Sequence, residues 1–406
     1  MNNNHIARRM QQVRPSPTAA ISDRVRELEA AGRRVINLGE GELDFATPQT
    51  IAYAGIAAII GEQTKYTAVA GTASLKTAIA QKFLRDNQLT FTHSEIIAGS
   101  GAKQLIFNAL LATVDPGQQV IIPAPYWVSY PDMVAIAEGE PVIVPCHEAH
   151  GWKLQPDDLA KALTPQTRWL ILNSPGNPTG ALYSMDELRA LAEVLSDWPN
   201  VMIMADDIYE PLRYGGAAFT TFAAAAPELA GRTLTINGVS KSHAMTGWRL
   251  GYAAGPAWLI AAMQVLQSQS TSNPSSISQA AAEAALVQPP TFLAGWIGKL
   301  EQRQQRVLAM IAEIDGMSAR VPEGAFYVFA NCQGLIGRVT PAGDVLEDDR
   351  AVAAWLLAES GVAVLHGSAF GTPGYLRIAY AINDAVLDEA CLKLAAAAAT
   401  LRQAEK

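Results

Sequence analysis

The segment VMIMADDIYE (Val201–Glu210) decides the architecture. Five apolar residues run without alternation, Val201–Ala205, and two acids follow at once. A strand with one wet face alternates polar and apolar side chains, whereas a strand covered on both faces does not. Six further runs share this character: Glu95–Ala98, Gln119–Pro123, Pro141–Val144, Arg168–Leu172, Thr233–Ile236 and Leu250–Ala254. Helical patterns such as Lys103–Thr113 and Met185–Leu195 lie between most of them. Buried strands alternating with helices predict an α/β fold with a mostly parallel seven-stranded sheet.

Outward from this core the patterns change. Residues 1–20 read as an irregular arm in which Pro15 and Pro17 block a helix. A short helix capped by Ser22 is expected to reach Ala31, followed by a strand at Arg34–Leu38 and the turn GEGELDF, Gly39–Phe45. A long helix is expected over Thr291–Ile314. Beyond it come a strand-like turn at Gly324–Phe329, a helix at Asp349–Ser360, strands at Val362–Leu365 and Tyr375–Ala379, and an alanine-rich terminal helix. The stretch around Pro341–Asp349 is expected to be a mobile surface loop. The organisation predicted is an arm and part of a smaller α/β domain (1–46), a large domain (47–300) and the rest of the smaller domain (301–406).

The composition bounds the partners. A net charge of -8 over 406 residues lacks the basic excess usual in duplex-binding proteins, so nucleic acid is not the expected partner. Cys146, Cys332 and Cys391 are far apart without metal-ligand spacing, which suits a reduced cytoplasmic protein with no structural metal. No apolar run is long enough for a membrane span.

Several motifs fall where a doubly covered sheet binds ligands, beyond the carboxyl ends of its strands. In INGVSKSHAMTGWRLGY (Ile236–Tyr252), Ser240-Lys241 is followed by Arg249. An amine beside a hydroxyl and a guanidinium suits a phosphate-bearing aldehyde cofactor; a solvated surface lysine is the ordinary alternative. GSGAKQ, from Gly99, opens a helix with small residues that let amides approach an anion, or is a plain turn. Asp206, at the end of its strand, suits a protonated pyridine nitrogen or a helix cap. Asn177 in NSPGNPTG can offer an amide to a ring hydroxyl or carboxylate, or serve the turn alone. Trp127 in PYWVSY can stack on a flat heterocycle or fill the interior. Arg377 in GYLRIAYA has apolar neighbours and needs an acceptor if buried, which a bound carboxylate would supply; the alternatives are an edge-strand arginine facing water or one paired with a structural acid.

Taken in order, KYT, GAKQ, PYWVSYP, NSPGNPTG, DDIYE, NGVSKSHAMTGWR and EGAFYV resemble the fold type I pyridoxal-phosphate-dependent aminotransferases, and specifically the bacterial aspartate aminotransferases. The resemblance implies a homodimer and a residue-by-residue map. Lys241 matches the lysine that binds the cofactor aldehyde and moves the substrate proton. Asp206 matches the partner of the ring nitrogen, Asn177 and Tyr209 the groups on the ring oxygen, and Trp127 the stacking residue. Gly101, Ala102, Ser240 and Arg249 match the phosphate cradle, joined by Tyr66 from a neighbouring subunit. Arg377 matches the clamp on the substrate α-carboxylate, and Gly41 a turn that contacts substrate.

The resemblance also bears on the far end of the substrate. Some relatives use an arginine in the region of Ser268–Ser278, but no basic residue occurs here between Arg249 and Lys299. Another branch uses a lysine that Lys103 matches, with small polar residues at Ser16 and Thr18. The implied reaction is ping-pong amino transfer from aspartate to 2-oxoglutarate. The alternatives are an aromatic or prephenate aminotransferase on the same scaffold and, further off, a lyase. Leu43 replaces a usual proline and is expected to loosen its turn; Asp207 replaces a commoner glutamate with little effect; His243 has no assigned task.

Overall fold

In the computed structural model, residues 5–403 are described. Strand β1 (Ile36–Asn37) precedes seven strands that share one sheet. These are β2 (Ile96–Gly99), β3 (Gln119–Ala124), β4 (Glu140–Pro145), β5 (Thr167–Asn173), β6 (Met202–Asp206), β7 (Thr233–Gly238) and β8 (Gly251–Ala254). Their order is β2-β8-β7-β6-β5-β3-β4. Only β8 runs against the others, pairing antiparallel with both β2 and β7.

The unbroken apolar character of β3, β5 and β6 has its cause in a separate core on each face. Val120, Ile122, Trp169, Ile171 and Met204 pack on one face with Leu105, Ile106 and Leu110. The intervening residues Ile121, Leu170, Leu172 and Ile203 pack on the other with Leu188, Leu191 and Phe222. Each fully buried side chain of this size contributes about 1.5–3 kcal/mol before entropy is counted. Strand β4 lies at the edge, which is where Pro141 and Pro145 are tolerated.

Ahead of β3 come the helices α1 (Pro17–Ala30), α2 (Gln49–Ile60), α3 (Ala73–Asn87) and α4 (Ala102–Thr113). A second sheet holds β9 (Ser318–Ala319), β10 (Tyr327–Asn331), β12 (Leu365–His366) and β13 (Tyr375–Ala379) in the order β12-β13-β10-β9, all antiparallel. Strand β11 (Val362–Ala363) pairs in parallel with β1. Among the described residues no helix is long and apolar enough to cross a membrane.

Three expectations need correction. Helix α1 begins at Pro17 and not at Ser22, because proline at the first helical position gives up an N–H that has no partner there anyway. Ser22 is therefore inside the helix, buried, with its hydroxyl on the Thr18 carbonyl and the Glu40 carboxylate. The stretch 341–349 is exposed for much of its length but tied down. Thr340 N–H donates to Asp344 O, Asp348 caps the helix Asp349–Ser360, and buried Asp349 accepts from the backbone and hydroxyl of Ser368. Leu43 does not loosen its turn, since it is buried in the core that also contains Ile36 and Leu38.

Candidate active site

Because β2, β3, β5, β6 and β7 run the same way, their carboxyl ends open onto one region. A cavity of about 380 Å³ lies there. It is lined by Ala102 and Lys103 after β2, Trp127 after β3, Asn177 after β5, Asp206 and Tyr209 at the end of β6, and Ser240, Lys241 and Arg249 after β7. Gly41, Ser16, Thr18 and Arg377 reach it from the N-terminal segment and β13. Of the residues expected at the site, only Gly101 and Tyr66 are not among the lining. Gly101 borders it: at φ +93°, a Cβ there would come within 2.6 Å of the Arg249 guanidinium. Tyr66 is 91% exposed and lies apart.

The end of β6 places Asp206 against β5 and β7, where it is buried. The Tyr130 hydroxyl donates to its Oδ2 at 2.6 Å, and Oδ1 has no protein partner among the described residues. Burial raises its pKa to about 6, the Tyr130 bond working against the rise. Asp207 beside it is buried too and its carboxyl is pushed well up by burial. The turn after β7 carries Lys241, whose amine donates to the Gly41 carbonyl. Burial lowers its pKa to about 8, with Glu42 opposing and Arg377 and Arg249 assisting. A part of the amine is therefore uncharged near neutral pH.

Arg377 sits in the middle of β13 and is 1% exposed. One terminal nitrogen donates to Asn177 Oδ1 at 2.9 Å and the other to the Gly39 carbonyl at 2.5 Å, leaving Nε without a partner among the described residues. Its guanidinium lies 4.5 Å from the Tyr327 ring centre and 5.0 Å from that of Phe370. The Tyr327 hydroxyl in turn shares a hydrogen bond of 2.8 Å with Tyr209. Asn177 is held by its own N–H on Asn173 Oδ1. Lys103, on the first turn of α4, stands 4.8 Å from the Trp127 ring centre, and burial and Arg249 both lower its pKa.

The turn holding Gly41 is fixed from below. Asp44 makes a two-pronged pair with Arg303, and its N–H donates to Ala381 O. Gly41 has no room for a side chain, since a Cβ would approach the Tyr327 hydroxyl to 2.6 Å. His243 points away from this cavity's lining. Its Nδ1 bonds Ser242 Oγ at 2.7 Å, its ring meets Phe292 edge-on, and burial lowers its pKa to about 4.

Residue-type reasoning passed over Glu40, Glu42, Ser129, Asn173, Thr246 and Tyr327, all of which line the cavity, and Tyr130 behind Asp206. Glu40 and Glu42 flank Gly41 in GEGELDF, and Tyr130 ends PYWVSY, so the signal lay in stretches already singled out. Among the described residues no group of three or more His, Cys, Asp or Glu is placed to hold a metal.

The family Aminotransferase class I and II matches residues 33–394. The aspartate/prephenate aminotransferase of Cereibacter sphaeroides is 52% identical over 390 residues, 96% of this chain and 98% of that one. The aspartate aminotransferase of Rhizobium meliloti (strain 1021) is 49% identical over 96% of this chain and 95% of that one. Among solved structures, an aspartate aminotransferase from Rhizobium meliloti superposes with a TM-score of 0.95 at 48% identity, covering 98% of this chain and 99% of that one. That of Thermus thermophilus with maleate gives 0.88 at 36%, covering 97% and 99%.

Members of this family work with pyridoxal 5′-phosphate, and the residues present fit it. Asp206 has an unpartnered buried oxygen for a cationic ring nitrogen. The glycine-opened start of α4, with Arg249 packed where a Gly101 side chain would stand, suits a phosphate. With its sequence matched from 33 to 394 and its sheet ends converging on Lys241, the chain belongs to the class I and II aminotransferases.

Proposed function

We propose that this aminotransferase takes the amino group of L-aspartate and passes it to 2-oxoglutarate in two alternating half-reactions. The observation that carries the reading is that Lys103 and Arg377 line one cavity with Lys241, offering two cationic anchors to a dicarboxylic substrate. The names of the relatives agree with it.

Bound pyridoxal 5′-phosphate supplies the electron sink for loss of the Cα proton and the carbon that carries the amino group. Lys241 takes that proton and returns it, its amine freed for the task by burial. Asp206, held by Tyr130, would pair with the ring nitrogen, and Asn177 and Tyr209 would take the ring oxygen. Trp127 gives the ring a flat neighbour. The turn at Gly101 and Ala102, with Ser240 and Arg249, would hold the phosphate. Arg377 clamps the substrate α-carboxylate, and Lys103 takes the distal one beside Ser16, Thr18 and Gly41.

A second reading, aromatic or prephenate transfer, is favoured by one observation. A further cavity of about 480 Å³ shares Ser16, Lys103, Ser129 and Arg249 with the first and adds Arg14 and Phe107. That is room for a larger side chain. We further propose a homodimer in which Tyr66 reaches the partner's phosphate. Tyr53, Ile56, Ile59 and Ile60 leave an exposed apolar face on and beside the same side of α2, in keeping with a covered surface. The proposed division into 1–46 with 301–406, and 47–300, is supported by the β1–β11 pairing. Unpaired cysteines suit a cytoplasmic setting.

The test is to mix the yellow aldehyde form with L-aspartate alone, then with L-phenylalanine alone, and follow the absorbance change over concentration. Fast, saturable conversion by aspartate is expected. Conversion by phenylalanine with none by aspartate would move the protein to the aromatic class.

A further inference from the structure

Gly39, Glu40 and Gly41 form a strap with three holds on distant parts of the fold, besides the local bond from Gly39 N–H to Asn37 Oδ1. The Gly39 carbonyl accepts from Arg377, the Gly41 carbonyl accepts from Lys241, and the Glu40 carboxylate accepts from Ser22 Oγ on α1 at 2.8 Å. The strap also lies close against that helix, since a Cβ on Gly39 would come within 3.3 Å of the Ile21 side chain. Ser22 is buried, and its hydroxyl lies 3.2 Å from the Thr18 carbonyl one turn earlier. Ser16 and Thr18, at the start of α1, line the cavity together with Glu40.

Resting on the function proposed above, two of the three holds use groups wanted elsewhere. Arg377 has a substrate carboxylate to bind and Lys241 has the cofactor aldehyde. With both engaged, the Ser22–Glu40 bond is the remaining hold of the three, and the one that reaches α1. We propose that Glu40 is a positioning residue: through Ser22 it ties the Gly39–Gly41 strap to α1, so that the first turn of α1, with Ser16 and Thr18, is held over the substrate site. Glu40 acts as a hydrogen-bond acceptor in this role, and its charge is incidental.

The test uses the full-length holoenzyme and the half-reaction with L-aspartate in Glu40→Ala, Ser22→Ala, Glu40→Gln and the double variant Glu40→Ala/Ser22→Ala. Loss of one such bond corresponds to roughly a tenfold effect. Glu40→Ala and Ser22→Ala should each raise the half-saturating aspartate concentration about tenfold while the limiting rate changes by less than about threefold. Glu40→Gln retains an acceptor oxygen and should stay within about twofold of wild type. The double variant should be no worse than either single one. A second readout is independent of turnover: backbone amides of residues 20–24 in the cofactor-free protein should exchange faster in Glu40→Ala and Ser22→Ala and not in Glu40→Gln. Glu40→Gln behaving as Glu40→Ala, or losses that simply multiply in the double variant, would overturn the proposal. If aspartate fails to react and phenylalanine succeeds, the aspartate reading falls. The same pattern among variants with phenylalanine, and the exchange data, then decide on the strap.

Discussion

Arg377 and Asn177 are 200 positions apart in the chain, yet the guanidinium donates to the amide oxygen at 2.9 Å. The bond joins β13 of one sheet to the loop after β5 of the other. It holds the arginine as a planar fork with Nε still free, and that fork matches a carboxylate in a way a lysine ammonium does not. Arg377→Lys should therefore lower kcat/KM for aspartate and phenylalanine alike by about 100-fold or more, since a buried hydrogen-bonded charge is being replaced. Steady-state kinetics with both donors checks this, and a loss confined to aspartate would contradict the assignment to the α-carboxylate.

Lys103 should behave in the opposite way. A single charge-assisted bond to a distal carboxylate corresponds to about 10–100-fold in affinity. Lys103→Ala should cost aspartate that much in the half-reaction and phenylalanine less than about threefold. Equal losses for both donors would instead assign Lys103 to the phosphate side.

Lys241 makes the stability of the cofactor-free protein depend on pH. Its pKa falls from 10.5 to about 8 on folding, chiefly through burial. Below pH 8 the amine is charged in both states and the folded chain carries the full cost. Between 8 and 10.5 the unfolded chain still holds the proton that the folded chain has lost, so stability rises with pH; above 10.5 the cost is gone. The residue as a whole is only half-buried, and solvent in the cavity screens part of the effect. Lys241→Met should stabilise the cofactor-free protein by about 1–3 kcal/mol at pH 7, with the gain shrinking between pH 8 and 10.5. Urea denaturation across that range measures it; a gain that is flat with pH would rule out the buried charge as its source.

Tyr130 is predicted to act only through Asp206. Its bond opposes the upward push of burial on that carboxyl. Tyr130→Phe should leave Asp206 harder to ionise and slow the aspartate half-reaction about tenfold, with little change in saturation. Binding of pyridoxal 5′-phosphate by the variant, titrated by absorbance, should weaken in parallel.

The trans role of Tyr66 can be read from mixed subunits. Lys241→Ala and Tyr66→Ala are each expected to be impaired alone. A hybrid of the two would hold one site with both changes and one with neither, so random mixing should restore about a quarter of wild-type activity. No gain on mixing would place Tyr66 outside the partner's site.

Much of this was legible because the central strands are apolar on both faces, which leaves few other ways to fold them. The site followed from strand ends, where Asp206, Asn177 and Lys241 appear at the points a parallel sheet exposes. What was missed stood within quoted stretches, where residue type alone did not mark it. Tyr327 enters the cavity by its hydroxyl bond to Tyr209, 118 positions away. Leu43 was misjudged because turn chemistry was weighed without the core beneath it. The start of α1 is hidden in the sequence because proline, a barrier inside a helix, is a good first residue.

The pairing of Ile36 with Val362 has a consequence for synthesis. A chain emerging from the ribosome can assemble all seven strands of the large sheet by residue 254. Strand β1, made long before them, has to wait for β11, and Asp44 has to wait for Arg303 and Ala381. Until then Ile36, Leu38 and Leu43 are apolar side chains without most of the cluster they join. A truncated product ending between the two sheets thus keeps a well-formed centre and a sticky leading end, the kind of species that chaperones hold and proteases clear.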